Sequence, residues 1–436
     1  MTSPALAPSD VDGTAPSGPL RVAYLVSQYP KLSHTFIERE VHALRERGVE
    51  VDTFTISTCP ESELRSAAMR ADAATTTPIK DAPRAEILAA HRALAAREPR
   101  AYAKVLAQAL RSGELTARSR LWQGFYFAEA VVLHHYMEQR GLRHVHVHFA
   151  NVSADVARLT VALGRLLDGP DAGWAWSMTM HGPTEFERVE KVDLAAKVRS
   201  ADGISAISDF CRSQLMRLVD PVEWPKMSIV HMTVDTDRFV PPADQRAGRD
   251  GEPLRVLYVG RLVPEKGGPV LLDAVRELQA RGVAVDVRFI GAGELAATLT
   301  HQIEADQLAS SVTLLGPVGQ DDILDWYHWA DVFVLPSFQE GLPVVLMEAL
   351  ATELPVVTTR IAGVAELVED GAMGHVVNAG RADLLADALV DLAQDPDRRR
   401  AMGAAGRRAV EAGFTPGLEA AAMETFLREV QERAAR

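Results

Sequence analysis

The segment EGLPVVLME, residues 340 to 348, sets Glu340 and Glu348 at the two ends of a nearly apolar run. Pro343 suits the first position of a helix, where its missing N–H is not needed and its φ is already set, so the spacing predicts a helix over about 343 to 352. Glu340 then stands just ahead of the helix and Glu348 about 1.5 turns inside it, roughly 7 to 8 Å along the axis. Free N–H groups near Gly341, Leu342 and Val344 favour an anion such as a diphosphate at the helix tip. Carboxylates are strong acceptors for vicinal hydroxyls. A nucleotide sugar offers a sugar diol, a diphosphate and a ribose diol in that order, which puts Glu340 on the sugar and Glu348 on the ribose. The plainer reading has Glu340 favouring the helix dipole and Glu348 on a helix surface.

A second anion candidate is VGRLVPEKGG, residues 259 to 268. It follows an apolar strand, and loops at the carboxyl ends of strands in open α/β sheets meet ligand. Arg261 and Lys266, with Gly260 beside them, can neutralise a diphosphate and the charge that grows on a leaving group. In isolation, an Arg and a Lys in a loop are more often merely solvated.

These motifs need two sheets to hold them, and the chain echoes itself accordingly. LRVAY (20 to 24) matches LRVLY (254 to 258), and RGVEVD (47 to 52) matches RGVAVD (281 to 286), with Val41 and Leu44 corresponding to Val275 and Leu278 at the same spacing. Each copy reads as strand, loop, amphipathic helix, Gly stop and second strand, the start of a parallel βαβ unit. The fold class expected is α/β, with two Rossmann-like doubly wound domains facing across a cleft. The plan is a disordered tail over 1–19, a first domain over 20–239, a linker over 240–253, a second domain over 254–414, and a C-terminal helix over 415–436 packing back on the first domain. Further strands are expected at 144–149, 176–180, 203–207 and 228–232, then at 287–291, 312–316, 331–335 and 355–359. Residues 84–120 carry eight Arg or Lys against three Asp or Glu and read as a helical insertion, either a solvated face or an arm that meets phosphate or a membrane surface.

Composition narrows the classes. An apolar fraction of 47% and a charged fraction of 24% suit an ordinary globular protein. The net charge of -13 argues against nucleic acid as a partner of the whole surface. Cys59 and Cys211 are the two cysteines, too few for a disulfide framework. Without a secretion-like start or a window of about 18 apolar residues, the expected location is cytoplasmic, with room for peripheral contact at the inner face of a membrane.

GRLVPEKG, PSFQEGLPVVLMEALA (336 to 351) and AGVAELVEDGAMGHVV (362 to 377) resemble the retaining GT-B glycosyltransferases of the GT4 type, glycosyltransferase group 1. HVHVHFAN (144 to 151), TMHGPTEF (179 to 186), SAISDFCRSQL (205 to 215) and VDTDRF (234 to 239) extend the likeness toward the branch of the colanic-acid glycosyltransferase WcaL. The resemblance implies transfer of a sugar from a nucleoside diphosphate donor to a saccharide, lipid-linked saccharide or small-molecule acceptor, with retention and with neither metal nor cofactor. It puts Glu340 on the donor sugar, Glu348 on the ribose, Arg261 and Lys266 on the diphosphate, and His181 beside the donor sugar from the facing domain. The nucleobase is expected near Gly316 and Val318, after the strand VTLLG. A sugar-nucleotide epimerase of the same architecture and a non-catalytic sugar-nucleotide sensor are the alternatives.

The pattern departs from the family in places. The loop after the first strand, SQYPKLSHTFIERE, has no glycine; Thr35 and Glu38 there fit a capping box, with Ser33 nearby. Thr233 stands where relatives often have Gly, and Thr352 with Glu353 where they often have Cys-Gly. Other signals are weaker. DTD at 235 to 237 mimics a metal-binding pair without a partner cluster. His144, His146 and His148 share one strand face, a zinc-like alternation lacking an evident carboxylate in the sequence. GAGELA (291 to 296) fits a dinucleotide fingerprint but lacks the acidic residue after the next strand.

Overall fold

The computed structural model describes residues 19–31, 34–64, 66–114, 116–187, 189–243, 251–319 and 322–436. Residues 1–18 of the tail, Ser33 and residues 244–250 of the linker lie outside them.

Among the described residues, the first sheet holds seven parallel strands: β1 (Arg21–Gln28), β2 (Glu50–Ser57), β3 (Thr77–Pro78), β4 (His144–His148), β5 (Ala175–Met180), β6 (Gly203–Ala206) and β7 (Met227–Ile229). Their order is β3-β2-β1-β4-β5-β6-β7. The second sheet holds β8 (Leu254–Val259), β9 (Val285–Ile290), β10 (Val312–Gly316), β11 (Val332–Leu335), β12 (Val356–Thr359) and β13 (Gly374–Val377) in the order β10-β9-β8-β11-β12-β13. Strand order reverses at β1/β4 and at β8/β11, the switch points where such sheets bind ligands. The short edge strands β3 and β13 were not expected. β3 has two residues, too few to show a period.

Between the strands of the first half run α1 (Thr35–Glu46), α2 (Ala67–Thr75), α3 (Arg84–Arg97), α4 (Pro99–Leu110), α5 (Ala117–Arg140), α6 (Val152–Asp168), α7 (Pro183–Glu187), α8 (Leu194–Ser200) and α9 (Asp209–Met216). The second half carries α10 (Gly268–Ala280), α11 (Ala296–Ala305), α12 (Ile323–Trp329), α13 (Val344–Ala351), α14 (Val364–Leu367), α15 (Ala382–Gln394), α16 (Pro396–Gly413) and α17 (Pro416–Ala434). The echoed residues do equivalent work: Val41 and Leu44 on α1, and Val275 and Leu278 on α10, are all fully buried. The helical insertion is three helices, and the third runs well past residue 120 to Arg140, where Gly141 stops it at φ +66°.

α17 lies across the first domain although it ends the chain. Met423, Phe426, Leu427 and Val430 bury against Leu20, Val22, Ile37 and Val41. Thr233 donates from Oγ1 to Glu419 at 2.8 Å, so the residue standing where relatives often have Gly anchors this helix. Arg407 on α16 binds the connecting segment through Thr236 O and Phe239 O. In the DTD sequence, Asp235 Oδ1 accepts the N–H groups of Asp237 and Arg238, which is turn capping.

Candidate active site

The site is built on the loops at the carboxyl ends of β5, β8 and β11. Pro343 is the N-cap of α13, with φ -76° and ψ 114°, and helical geometry begins at Val344. The helix therefore starts one residue later than the sequence suggests, because Pro343 keeps an extended ψ. Glu340 is 6% exposed and Glu348 9%, so neither is a surface residue. Glu340 Oε1 accepts from Lys266 Nζ at 2.6 Å and from Ser337 Oγ at 2.7 Å. Both bonds use the same oxygen, which leaves Oε2 for a further donor such as a sugar hydroxyl.

The loop carrying Lys266 is pressed onto the loop carrying Glu340. Gly267 has φ +66°, and a Cβ there would meet Pro336 O at 2.0 Å; the glycine is required both by conformation and by contact. Phe338 N donates to Glu265 O at 2.8 Å and closes the same seam. GAGELA finds its explanation beside it. A Cβ at Gly291 would meet Gly260 O at 1.8 Å, and one at Gly293 would meet Leu262 O at 2.2 Å. These glycines let the β9 loop support the β8 loop.

Glu348 accepts from Tyr327 OH at 2.8 Å. Burial raises its carboxyl, against the lowering effects of Tyr327, Arg39 and Arg238. With Gly341, Leu342 and Val344 it lines one wall of a cavity of about 350 Å3, whose other wall is Thr35, Phe36, Arg39, Phe149, His181, Ile207 and Met232 of the first domain. His181 packs against Phe149 and Phe36 at ring distances of 4.5 and 4.8 Å. Burial, then the neighbouring His148 and His34, pushes it well below the usual imidazole range, so it is neutral near pH 7. Glu185 on α7 fixes its backbone by accepting from His181 N and Gly182 N, and also from Ala150 N. Phe149 has φ +69°, a costly conformation for a bulky residue that marks a constrained turn.

The two walls touch. A Cβ on Gly341 would meet His181 O at 2.2 Å, so only glycine permits the approach. Glu366 of α14 accepts from Asp209 N and Phe210 N at 2.7 and 2.8 Å, a carboxylate at the amino end of a helix in the opposite domain. Gln339 donates to Glu187 across the same boundary.

Of the residues singled out from sequence, the structure brings Lys266 to Glu340, and gathers Gly341, Leu342, Glu348 and His181 around one cavity. Arg261 is exposed at the β8 loop, with Gly260 beside it. Gly316 ends β10 at φ +76°, with Val318 just beyond; these four do not line that cavity. The capping box does not form. The N-cap of α1 is His34, without a side-chain cap, and Thr35 lines the cavity instead. A carboxylate does accompany the β4 histidines: Glu40 from α1 lies 3.3 Å from His148, and Glu40, His146 and His148 are close enough to share an ion. Sequence reasoning also passed over Arg39, Glu185, Ser337 and Tyr327. The charged residues in IERE and the Glu four places after His181 were the signals available.

Two parallel doubly wound sheets facing across a cleft, with the E-x7-E helix on the second wall, define the GT-B fold of glycosyltransferases. Residues 241–409 match the family model Glycosyl transferases group 1. A GDP-mannose-dependent alpha-(1-6)-phosphatidylinositol monomannoside mannosyltransferase of Mycobacterium tuberculosis is 33% identical over 239 residues, covering 52% of this chain and 62% of that protein. The putative colanic acid biosynthesis glycosyltransferase WcaL of Escherichia coli is 34% identical over 223 residues, covering 50% of this chain and 54% of the relative. The chain thus matches between half and two thirds of the length of these relatives. The crystal structure of HepE from Anabaena in complex with UDP superposes with a TM-score of 0.70 at 15% identity, covering 93% of this chain and 99% of that one, which is a likeness of fold. No helix among the described residues is long and apolar enough to cross a membrane.

Proposed function

We propose that the protein transfers a sugar from a nucleoside diphosphate donor to an acceptor hydroxyl, with retention at the anomeric carbon and without metal. The observation that carries this reading is the buried Glu340, tethered through one oxygen by Lys266 and Ser337, at the tip of the helix that holds Glu348. Glu340 Oε2 receives a donor-sugar hydroxyl, Glu348 the ribose diol, and the N–H groups at Gly341 and Leu342 the diphosphate. Lys266 and Arg261 add positive charge where the leaving phosphate becomes more negative. The acceptor hydroxyl attacks the face that the diphosphate leaves. Its oxygen bonds to the anomeric carbon, the carbon–phosphate-oxygen bond breaks, and the proton passes to the departing phosphate oxygen. Catalysis is then positioning and charge stabilisation, with the nucleobase near Gly316 and Val318.

A lipid-linked acceptor suits the amino end of α5. Leu121 is 62% exposed, with Trp122 and Phe125 also exposed, beside Arg118 and Arg120. Apolar and basic residues together favour an anionic membrane surface. Co-sedimentation with phosphatidylglycerol vesicles, lost in Trp122→Ala with Phe125→Ala, is the expected outcome.

Thermal shift against UDP-, GDP-, ADP- and dTDP-sugars, followed by mass spectrometry of the donor with candidate acceptors, tests the main reading. Stabilisation by one donor and transfer of its sugar are expected. Epimerised donor without acceptor identifies an epimerase, and binding without any turnover identifies a sensor; either overturns the proposal.

A further inference from the structure

Behind His181 runs a line of buried groups that the proposed transfer leaves unused. His181 Nε2 is 2.9 Å from His148 Nδ1. His148 Nε2 in turn is 3.3 Å from Glu40 Oε1, and both residues are almost wholly buried. That second contact lies off the ideal hydrogen-bond line, yet its electrostatics still choose a proton position. A ring lone pair aimed at a carboxylate oxygen is repelled, whereas an N–H is attracted. Tyr24 OH donates to the same Glu40 oxygen at 2.6 Å, which marks Glu40 as the acceptor of the group.

The rest follows from imidazole chemistry. A neutral ring has one N–H and one lone pair. With its proton on Nε2, His148 offers a lone pair at Nδ1, and His181 must donate to it from Nε2. The lone pair of His181 is then on Nδ1, the nitrogen left to the cavity that its ring lines.

We propose that Glu40 and His148 are positioning residues that hold His181 in this tautomer, so that it accepts a hydrogen bond from a sugar hydroxyl in the cleft. The inference rests on the sugar-transfer reading and narrows it. The substrate group that meets His181 is a hydrogen-bond donor, a hydroxyl, and a uronic acid carboxylate or a phosphate oxygen is disfavoured there.

The surroundings agree. The other titratable groups facing this chain are His34 and Arg39 around α1, His146 on β4, Glu185 on α7 and Glu419 on α17. Burial and the adjacent Glu40 raise the Glu419 carboxyl well above the usual range, so Glu419 holds a proton beside Glu40. Both nitrogens of His146 are occupied, by Ser177 Oγ at 2.8 Å and Thr179 Oγ1 at 3.0 Å. That leaves His146 no free nitrogen for an ion shared with Glu40 and His148.

Histidine-selective 15N NMR of the whole protein at neutral pH is the direct test. In the wild type, His181 is expected to be protonated at Nε2 and bare at Nδ1. In Glu40→Gln the carboxamide oxygen that accepts from Tyr24 also faces His148, but the charge that repels a lone pair there is gone, so the wild-type tautomer of both rings is no longer fully populated. The same variant is expected to lower kcat/KM for transfer about 10- to 100-fold, while Glu40→Asp keeps the wild-type spectrum and recovers part of the rate. A wild-type His181 protonated at Nδ1, a Glu40→Gln spectrum identical to the wild type, or one equivalent of zinc per chain overturns the proposal. If Glu40→Gln does not fold, the wild-type spectrum decides by itself. Should no donor support transfer, the functional reading fails while the spectra still settle the tautomer.

Discussion

Replacing Gly341 by Ala isolates the contact between the two walls of the cleft. Gly341 is not among the positive-φ glycines, so the backbone accepts Ala and the objection is purely one of space. The new Cβ would lie 2.2 Å from His181 O, and ordinary contact begins at 3.4 Å. The walls must separate by the difference, about 1.2 Å, or the protein must absorb a clash between backbone atoms. Overpacking that cannot relax costs about 1 to 3 kcal/mol. Here the clash crosses a domain boundary, and opening gives it an exit at the expense of the Glu366 contacts to Asp209 N and Phe210 N. Opening moves His181 away from Glu340 and the helix tip by about the same 1.2 Å, and a misplacement of roughly 1 Å can cost about 100-fold in rate. The expected outcome is a fall in kcat/KM of about 100-fold with a thermal midpoint lowered by no more than about 3 °C. Gly124→Ala is the control, since its Cβ meets nothing within 4 Å, and it is expected to leave turnover unchanged. Gly341→Ala turning over within threefold of the wild type, or losing rate only in step with its unfolded fraction, refutes the reasoning.

Glu340→Gln, Lys266→Ala and Arg261→Ala are each expected to lower sugar transfer at least about tenfold with the fold retained by circular dichroism; near-normal turnover in all three removes the site assignment. Glu129 has its carboxyl pushed up to about 7, mainly by burial, and one of its oxygens is buried without a partner. A raised carboxyl binds its proton more tightly when folded, so its contribution to stability falls as pH rises from about 4.5 to 7. Glu129→Gln should therefore gain roughly 3 kcal/mol over the wild type at pH 8 and nothing at pH 4, measured by denaturant unfolding at both values; an equal difference at both sinks the assignment. Glu353 sits at φ +56° just past α13, where Leu354 N bonds Ala349 O and Glu353 N bonds Leu350 O, a Schellman ending that favours glycine. Glu353→Gly is expected to stabilise by about 0.5 to 1 kcal/mol, and a lower midpoint in urea would contradict that.

What sequence revealed about the fold was its repeating apolar pattern. Strands such as β11 (Val332–Leu335) are buried continuous runs between turn signals, and the spacing common to α1 and α10 exposed the duplicated plan. Pro343 gave the start of α13 to within one residue, missing only because an N-cap proline and a first-turn proline differ in ψ and not in φ. The edge strands β3 and β13 escaped because pairing with a neighbour, rather than their own composition, makes them strands. Glu353 read as a substitution affecting only a helix ending, and the ending survives with the side chain held in a conformation usually left to glycine.

By itself the sequence determined the two sheets, the E-x7-E helix and the cationic loop, because local periodicity, proline placement and charge near a helix tip are properties of short segments. Only the tertiary structure decided which oxygen of Glu340 is engaged, that Arg39 and Thr35 share a cavity with Glu348, and that Glu40 stands behind the histidines of β4. Those facts depend on approaches between residues far apart in the chain, at tenths of an ångström, and such distances are set by packing two domains and a returning C-terminal helix together. The glycine at 341 belongs to both accounts: its identity is written in the chain, but its necessity comes from the carbonyl of His181 on the opposite wall.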